Sequence, residues 1–389
     1  MIVLFHVQHL LGIGHLTRAA TLARGLAAEG VEVAVASGGE PVAGVDFGGA
    51  SLVQLPPARV ADRRFSELLD AKGEPVGDAW KARRRDRLLG LYEKVGPDIV
   101  LTELFPFGRR QLRFELLPLL DRCAEDRARF GRPRIACSVR DILVESPKPK
   151  RTREMLDLVR RYYDLVLVHG DPRFVSLGAT FPHAREIVDR IVYTGYVVAR
   201  TEGPPAAPER SWGEDGKEVI VSAGGGAVGG RLLEAALAAR PRTPLADGGW
   251  RLLAGANLPE SDFRSLAARA PKKVTVERFR PDFRSLLRSA RLSISQGGYN
   301  TLMEVLDAGL RAVVVPYAGG LETEQTLRAN LLAARGLIEV VDEEDLDAES
   351  LAAAVRRTLG KPPPAGLAGL DTTGAAATVE SLRGLLATR

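Results

Sequence analysis

The sequence predicts an α/β protein made of two doubly wound, parallel-sheet domains of the Rossmann-like kind. Short apolar segments typical of buried strands alternate with helical segments along nearly all of the 389 residues, which is the pattern of parallel sheets covered by helices. The chain is also longer than one hydrophobic core usually supports. Residues 199–216 are rich in proline, glycine and charge, so we predict that they link the two domains.

The first predicted domain covers residues 1–198. An apolar strand at residues 1–7 runs into a glycine-bearing loop, a helix at residues 16–30 and a second strand at residues 31–36. Because ligands of doubly wound sheets collect beyond the carboxyl ends of the strands, this loop is a candidate binding element. Residues 59–92 are predicted to be mostly helical. Further strands are predicted at residues 51–55, 98–102, 134–139, 165–169 and 190–195.

The second predicted domain covers residues 217–370 and repeats the alternation. A final helix within residues 371–389 is expected to pack back on the first domain. The two sheets are expected to face one another across a cleft, which is the usual place for an active site. The strands of this half are predicted at residues 218–223, 250–254, 273–277, 292–295, 312–316 and 338–341.

The bulk composition is that of a globular protein, and its small positive charge fits an anionic substrate, or mild affinity for nucleic acid. The formal net charge is +5 and the pI is about 9.3, and a positive excess of this size also leaves membrane-surface association open as a less favoured alternative. No nucleic-acid-binding motif is recognised, so a nucleic acid is not an expected partner. Cys123 and Cys137 have no metal-binding spacing, so we expect no metal site and a cytoplasmic protein. The basic runs at residues 81–87 and 148–153 are interpreted as solvated helix faces, with binding of a phosphorylated or membrane-borne acceptor as the second interpretation.

One stretch, LSISQGGYNTLME at residues 292–304, predicts an anion site. An apolar strand breaks at Gln296-Gly297-Gly298 and continues as a helix. The glycines allow close backbone approach, and the N–H groups of a first helical turn lack helical partners. The Glu304 carboxylate could accept two hydrogen bonds from a diol such as a ribose. The alternative is an ordinary strand–turn–helix with a surface glutamate.

A second glycine-rich loop predicts a site for a diphosphate. Residues 224–230 contain five glycines and follow a predicted strand. The loop lacks the lysine of a nucleoside-triphosphate-binding loop and does not match the dinucleotide fingerprint, so neither ATP hydrolysis nor a nicotinamide cofactor is expected. A diphosphate on the following helix N-terminus remains a good interpretation. The alternative is a flexible loop.

The loop after the first strand carries a candidate catalytic base. Gly14 and His15 stand at the start of the first helix. A histidine with an ordinary pKa of about 6.5 can accept a proton from an acceptor hydroxyl, or it can hold a phosphate as a cation. The alternative is a tight turn with a capping histidine. Other charged residues just past strand ends of the first half are cleft candidates by topology: Glu103, Arg109, Arg140 and Asp141.

Four motifs, in this order, resemble those of the GT-B glycosyltransferases. They are GIGHLTR, SAGGG, SQGGYNTLMEVL and VVPYAGGLETEQTLRANLLAARG. Together they look closest to glycosyltransferase family 28 and to the MurG-like predicted glycosyltransferases. The segments TELFPFGRRQLRFELLPLL and VHGDPRF resemble the less characterised MurG-like group. The resemblance covers nearly the whole chain.

The resemblance implies an inverting, metal-independent hexosyltransferase with no cofactor beyond its co-substrate. The second half would bind a nucleotide diphosphate sugar, with UDP as the expected nucleotide. The first half would bind a small-molecule or lipid-linked acceptor. Gly14 and the topological candidates Arg109, Arg140 and Asp141 are the residues expected to contact it. His15 matches the histidine of the family's N-terminal glycine loop, and His15 or Glu103 would remove the acceptor proton while the glycine loops stabilise the departing diphosphate.

The same resemblance implies a role for each donor-binding residue. Glu304 would hold the ribose, Glu324 and Gln325 the donor sugar, and the backbone around Phe279 the base. Many relatives carry a histidine where this chain has Gln296, so a charged contact is not expected there. The residues expected around the diphosphate are Gly224, Gly225, Gly226, Gln296, Gly297, Gly298, Asn300 and Thr301.

Two other functions remain compatible with these motifs. The GxGHxxR loop also resembles that of nucleotide-sugar hydrolases, for which water is the acceptor. A non-catalytic protein that binds a nucleotide sugar is the second alternative. For Glu324, a further alternative is purely structural, because acidic residues are favoured in the first turn of any helix.

Overall fold

The structure, a computed structural model, divides the chain into two compact units. One unit comprises Met1–Val197 and Leu370–Arg389, and the other comprises Val198–Gly369. The predicted linker at residues 199–216 lies outside the described residues. The structure describes residues 1–10, 12–60, 67–143, 148–198, 218–224, 229–255, 257–280, 282–319, 323–364, 366–367 and 369–387.

The first unit is built on a parallel sheet covered by helices. Its strands are β1 (Ile2–Val7), β2 (Glu32–Ser37), β3 (Ser51–Gln54), β4 (Arg59–Val60), β5 (Leu68–Leu69), β6 (Ile99–Glu103), β7 (Arg134–Arg140), β8 (Leu165–His169) and β9 (Ile191–Tyr193). Its helices before the end of the chain are α1 (Gly14–Ala28), α2 (Asp78–Val95), α3 (Arg113–Phe130) and α4 (Pro149–Tyr162). Short 3₁₀ helices lie at Arg110–Leu112, Leu177–Ala179 and Pro182–Arg190.

The sheet of the first unit has seven strands in the order β3-β2-β1-β6-β7-β8-β9. All neighbours are parallel. Apolar residues are buried on both faces, with Leu4 and Val100 in one core cluster and Phe5 and Leu101 in the other. Strands covered on both faces need continuous apolar runs, as in IVLFHV. The chain order reverses beside β1, so the loops after β1 and β6 meet at the switch point where such folds bind ligands.

The second unit repeats this design with shorter strands. Its sheet has the order β12-β11-β10-β13-β14-β15, with every neighbour parallel. Its strands are β10 (Val219–Ser222), β11 (Trp250–Leu253), β12 (Val274–Glu277), β13 (Leu292–Ser295), β14 (Ala312–Val314) and β15 (Glu339–Val340). Its helices are α5 (Gly230–Ala239), α6 (Glu260–Ala268), α7 (Phe283–Ser289), α8 (Tyr299–Asp307), α9 (Glu324–Ala334) and α10 (Ala348–Leu359), and a 3₁₀ helix lies at Arg240–Arg242.

The last helix, α11 (Gly374–Ala387), belongs to the first unit. Its Val379 and Leu382 are buried in the same core cluster as Leu22 of α1. The two helices approach closely at a glycine, since a Cβ added to Gly25 would lie 2.7 Å from the Cβ of Ala375. Any larger residue at position 25 would therefore separate α11 from α1.

The prediction that residues 59–92 are mostly helical is wrong for the first part of that segment. Strands β4 and β5 pair there in the antiparallel direction, and α2 begins only at Asp78. Residues 61–66, between the two strands, lie outside the described residues. The Asp70 carboxylate accepts hydrogen bonds from the N–H groups of Lys72 and Glu74. An aspartate that satisfies the backbone two residues on favours a turn over a helix.

The basic run at residues 81–87 is not wholly a solvated helix face, because Arg84 is fully buried. Its Nε donates to Glu115 Oε2 at 2.6 Å, and its Nη2 donates to Glu115 Oε1 at 2.9 Å. Gln8 Oε1 also accepts from Nη2, at 2.5 Å. A bidentate pair with a carboxylate is the form in which a buried guanidinium is best tolerated. This pair therefore anchors the loop that follows β1.

Candidate active site

The predicted catalytic residues of the first unit are in direct contact. His15 is the second residue of α1, and Glu103 is the last residue of β6. His15 Nδ1 lies 2.8 Å from Glu103 Oε1. The Glu103 side chain is fully buried, whereas that of His15 keeps 13% of its surface exposed. A buried carboxylate that orients a partly exposed imidazole is the arrangement of a general-base pair.

The Glu103 carboxylate has three side-chain partners. Besides His15, Arg18 of α1 donates to Oε1 through its Nη2. The Ser138 hydroxyl donates to Oε2 at 2.7 Å. His15 and Arg18 are three residues apart and so project from the same side of the helix. One turn of α1 thus meets the end of β6 at a single carboxylate.

The charge states of this pair follow from burial and from the arginines around it. Burial raises the pKa of Glu103, but the positive charge of Arg18 and the hydrogen bond from His15 outweigh it and hold the pKa at about 2. Burial, followed by the charge of Arg109, lowers the pKa of His15 to about 3. At neutral pH the carboxylate is therefore ionised and the imidazole is neutral. Its Nδ1–H donates to Glu103, which leaves Nε2 with the lone pair that a base needs.

A second histidine, which the sequence analysis did not select, completes this network. His169 Nε2 lies 2.9 Å from Ser138 Oγ, and His169 Nδ1 lies 2.7 Å from Thr194 Oγ1. All three of these side chains are fully buried. Burial, followed by the charge of Arg18, lowers the pKa of His169 to about 3, so it too is neutral.

The predicted acceptor residues differ in accessibility. Gly14 is exposed at the start of α1. Arg109 and Arg140 lie near enough to His15 for their charges to lower its pKa. Arg109 has a left-handed backbone with φ of 60°, and its Nε donates to the carbonyl oxygen of Gln8 at 2.9 Å.

Asp141 is placed differently from these three residues. Its carboxylate is fully buried. It accepts hydrogen bonds from the Tyr196 hydroxyl and from the N–H of Ile142, both at 3.0 Å. An acceptor would have to reach a carboxylate that already has two hydrogen-bond donors.

The two glycine loops of the second unit follow adjacent strands. Strands β10 and β13 are neighbours, with Ser222 in register with Ser295. The loop that begins at Gly224 therefore starts beside the one that contains Gly297. This point is where the strand order reverses, so it is the switch point of the second sheet. Of the first loop, Gly225 and Gly226 lie outside the described residues.

Gly297 and Gly298 have different structural roles. Gly297 is buried with a φ of +73°, and a Cβ there would lie 2.5 Å from Cγ1 of Val314. Gly298 has an ordinary φ of −58°, and no atom lies within 4 Å of an added Cβ. The open space therefore adjoins Gly298, which is the N-cap of α8. The first turn of α8 has no acidic residue to compete with an anion.

The remaining donor-site residues of this stretch lie on or next to α8. Gln296, Asn300 and Thr301 are partly exposed. Glu304 is the sixth residue of the helix, and its Oε1 accepts from Arg284 Nε of α7 at 3.2 Å. The Glu304 side chain is 18% exposed. A ligand diol would therefore meet a carboxylate that an arginine already orients.

Three further predicted residues follow two other strands of the same sheet, β12 and β14. Phe279, two residues beyond β12, has 48% of its surface exposed. Gln325 Oε1 accepts the N–H of Tyr317 at 3.1 Å, which ties the start of α9 to the loop after β14. Glu324 is buried and pairs with Arg328, with Oε1 and Nη1 2.8 Å apart. The Arg328 guanidinium lies over the Tyr299 ring, 5.2 Å from its centroid.

Sequence reasoning did not identify Arg18, Ser138, His169 or Arg284. Arg18 was within the GIGHLTR motif, and its spacing from His15 was a usable signal. Ser138 and His169 lie at the carboxyl ends of β7 and β8, but their contact depends on strand register. Arg284 pairs with a residue on a separate helix, which no local pattern indicates.

The part of the chain that the structure describes contains no cluster of three or more His, Cys, Asp or Glu side chains able to hold a metal ion. Within those residues, no helix combines the length and apolar character needed to cross a membrane. Cys123 and Cys137 are both buried free thiols.

Comparison with known families gives a match in the second unit. Residues 221–366 match the glycosyltransferase family 28 C-terminal domain. This range contains the Gly224 loop, the whole Gln296–Glu304 stretch and the start of α9. The predicted MurG-like resemblance is therefore confirmed for the half that carries the glycine loops.

Similar enzymes are N-acetylglucosamine transferases of bacteria. One relative is the UDP-N-acetylglucosamine--N-acetylmuramyl-(pentapeptide) pyrophosphoryl-undecaprenol N-acetylglucosamine transferase of Geobacillus kaustophilus (strain HTA426). The two chains are 30% identical over 191 residues, and this aligned stretch covers 48% of this chain and 52% of that enzyme. It is 33% identical over 103 residues to the enzyme of the same name from Chelativorans sp. (strain BNC1), covering 26% and 28% of the two chains. The matched stretch thus spans about half or less of these relatives.

Solved structures with a similar fold cover the whole chain. Spinosyn rhamnosyltransferase SpnG complexed with thymidine diphosphate has a TM-score of 0.60 at 19% identity and covers 99% of this chain and 96% of that one. CalG4, the calicheamicin glycosyltransferase, has a TM-score of 0.57 at 18% identity and covers 99% and 94%. At such identities the likeness concerns the fold, and it confirms the predicted GT-B class of two Rossmann-like halves.

Proposed function

The chain is MurG-like, with a glycosyltransferase family 28 C-terminal domain at residues 221–366 and the GT-B fold, and we propose that it transfers a hexose from a nucleotide diphosphate sugar to an acceptor nucleophile. The expected nucleotide is UDP, and the expected outcome is inversion at the anomeric carbon. The observation that carries the proposal is that Gly224 and Gly297 follow the ends of two adjacent strands, β10 and β13, inside the matched domain. Their backbone can approach a diphosphate closely.

In this proposal the second unit binds the donor mainly through its backbone. The diphosphate lies against Gly224 and Gly298, with Asn300 and Thr301 beside it at the start of α8. A helix N-terminus stabilises the charge that develops on the leaving diphosphate, so we expect no bound metal. Activity that persists in excess chelator would support this part of the proposal, and restoration by Mg²⁺ after chelation would contradict it.

Side chains around these loops would select the nucleotide and the sugar. Glu304 would accept the ribose hydroxyls while Arg284 holds its orientation. Glu324 and Gln325 would bind the donor sugar at the start of α9, and the exposed Phe279 would lie beside the base. Gln296 would contact the phosphates as a neutral hydrogen-bond donor.

The first unit would supply the base and the acceptor contacts. Neutral His15 would take the acceptor proton on Nε2 as the nucleophile attacks, and Glu103 would stabilise the resulting imidazolium. Gly14, Arg109 and Arg140 would bind the acceptor. An anionic group beside the two arginines would offset their charge and raise the pKa of His15, which would make it a stronger base at the moment of reaction. The prediction for Asp141 requires a rearrangement that opens its buried carboxylate.

Calorimetric titration with UDP tests the donor site. Glu304→Ala is expected to weaken UDP binding by about 1.5–3 kcal/mol, because it removes charged hydrogen bonds to the ribose. Asp307→Ala, which removes a carboxylate further along the same helix, is the matched control and should bind UDP as the natural chain does. Absence of nucleoside diphosphate binding by the unaltered chain would overturn the proposed function. Equal affinity in Glu304→Ala would exclude Glu304 from the site.

A thermal-shift screen against UDP-, GDP-, ADP- and dTDP-sugars identifies the donor class. The nucleotide sugar that binds the folded chain raises its melting temperature by mass action. UDP-sugars are expected to give the largest increase. Release of free sugar at a catalytic rate without an added acceptor would show that the chain is a nucleotide-sugar hydrolase and not a transferase. Tight binding without turnover would indicate a non-catalytic binding protein.

A further inference from the structure

A one-way chain of hydrogen bonds leads to the Glu103 carboxylate from the interior of the first unit. Its members are Thr194, His169, Ser138 and Glu103, joined at 2.7 Å, 2.9 Å and 2.7 Å. All four side chains are fully buried. His15 Nδ1 meets the other oxygen of Glu103 at 2.8 Å, so hydrogen bonds reach this carboxylate from both sides.

The direction of each bond follows from the chemistry of its two atoms. An ionised carboxylate only accepts, so the Ser138 hydroxyl donates its single proton to Glu103 Oε2. The oxygen of Ser138 must then accept, so His169 carries its proton on Nε2. Neutral His169 has a lone pair on Nδ1, which accepts the Thr194 hydroxyl. The same logic at Oε1 places the proton of His15 on Nδ1.

Strand register explains why these side chains meet. Glu103 of β6 is paired with Ser138 of β7, and Ser138 is paired with Leu167 of β8. His169 follows Leu167 by two residues and so lies on the same face. On that face Leu101, Ala136 and Leu167 belong to the core cluster covered by α1. Glu103, Ser138 and His169 therefore occupy the last positions of a face that is otherwise apolar. Burying polar side chains there costs more free energy than burying apolar ones.

We propose that Ser138 and His169 are positioning residues that orient the Glu103 carboxylate and thereby hold His15 in the tautomer with a lone pair on Nε2. The inference rests on the proposed function, in which His15 removes the acceptor proton. Arg18 and His15 share one oxygen of Glu103, and Ser138 holds the other. Without Ser138 the carboxylate can rotate to present both oxygens to Arg18, and His15 loses its fixed partner.

Nuclear magnetic resonance of histidine nitrogens tests this directly. The chain has five histidines, and long-range ¹H–¹⁵N correlations on the full chain report which ring nitrogen of each carries the proton. We expect His15 as the Nδ1–H tautomer and His169 as the Nε2–H tautomer at neutral pH. His15→Gln and His169→Gln assign the two signals by their loss. An Nε2–H tautomer for His15 would overturn the proposal.

Substitutions in the chain test the coupling. In Ser138→Ala and in His169→Phe, the single-tautomer pattern of His15 should be lost or shifted. His169→Gln should preserve it, because an amide can donate to Ser138 and accept from Thr194. Ser37→Ala, a buried serine on β2 of the same sheet, is the matched control. A purely structural role predicts an unchanged His15 signal in all folded variants, and that result would overturn the proposal.

UDP titration of the same samples separates this inference from the proposed function. UDP binding with an unresponsive His15 signal would overturn the positioning role alone. A responsive His15 signal in a chain that binds no nucleotide would overturn the proposed function alone. If Ser138→Ala does not fold, the test rests on His169→Phe and His169→Gln. An altered His15 signal in the first and a preserved one in the second would support the positioning role, and the same signal in both would overturn it.

Discussion

The carboxyl edges of the two sheets differ in what they present, polar side chains in the first unit and glycine backbone in the second. In the first unit the edge is occupied by charged and polar side chains that satisfy one another, with Glu103 receiving hydrogen bonds from His15, Arg18 and Ser138. In the second unit the described part of the corresponding edge includes Gly224, Gly297 and Gly298, with open space beside Gly224 and Gly298. Both edges lie at the switch point of a doubly wound sheet.

This difference fits the proposed division of chemical work between a base in the first unit and a donor site in the second. A preorganised side-chain network suits proton transfer, because it fixes a tautomer and a charge state before the substrate arrives. Open backbone suits a diphosphate, because N–H groups and a helix dipole bind an anion without a side chain. Substitutions in the first edge should therefore affect catalysis and acid stability, and those in the second should affect nucleotide affinity.

The largest expected effect is at His15. His15→Gln preserves a donor to Glu103 but cannot take a proton, so turnover of the donor identified by the thermal-shift screen should fall by about 10²–10⁴-fold. UDP affinity by calorimetry should stay unchanged, because the proposed donor site is in the second unit. His183→Gln, at an exposed histidine of the same unit, is the control. Loss of UDP binding in His15→Gln would contradict the proposal that the first unit supplies the base and the second unit binds the nucleotide.

The next effect is acid destabilisation from the first edge. His15 and His169 have pKa values of about 3 in the folded chain, against 6.5 ordinarily. In the unfolded chain they bind protons below pH 6.5, so the stability associated with the neutral side chains is complete above pH 6.5 and is lost as pH falls toward 3. Each histidine should contribute a slope of about 1.4 kcal/mol per pH unit.

Urea unfolding between pH 7 and pH 5 measures this slope. His169→Gln should remove the contribution of one histidine, whereas Ser37→Ala removes no titrating group and should keep the slope of the natural chain. An equal slope in the natural chain and in His169→Gln would contradict the neutral, buried state of His169.

The smallest effect separates two adjacent glycines of the second edge. Gly297→Ala should cost about 1–3 kcal/mol of the free energy of unfolding, because it combines a positive φ with a clash against Val314. Gly298→Ala should change that free energy by less than about 0.5 kcal/mol, since its φ suits alanine and the space is open. It should instead weaken UDP binding by about 1–2 kcal/mol, because the added methyl group would occupy the open space and keep the phosphate away from the backbone N–H groups. Unaltered UDP affinity in Gly298→Ala would place the phosphate elsewhere.

Much of the second unit could be predicted from local sequence. The break at Gln296-Gly297-Gly298 between strand and helix is visible in the residues themselves, because glycine pairs and helix starts are short-range signals. The segment at residues 59–77 was mispredicted because its charge and helix-forming residues outweighed the turn signal at Asp70 and Gly73. Arg84 was mispredicted because a charged helix face gives no sign that one of its arginines meets a buried glutamate on α3.

The sequence alone determined the alternation of strands and helices, the two glycine loops and the choice of His15 and Glu103. These are properties of residues close together in the chain, where periodicity and backbone freedom act directly. Only the tertiary structure decided that Ser138 and His169 join Glu103, that Arg284 holds Glu304 and that the pKa of His15 is about 3. Those properties depend on strand register, burial and the charges of distant residues, which arise only when the sheet and its helices assemble.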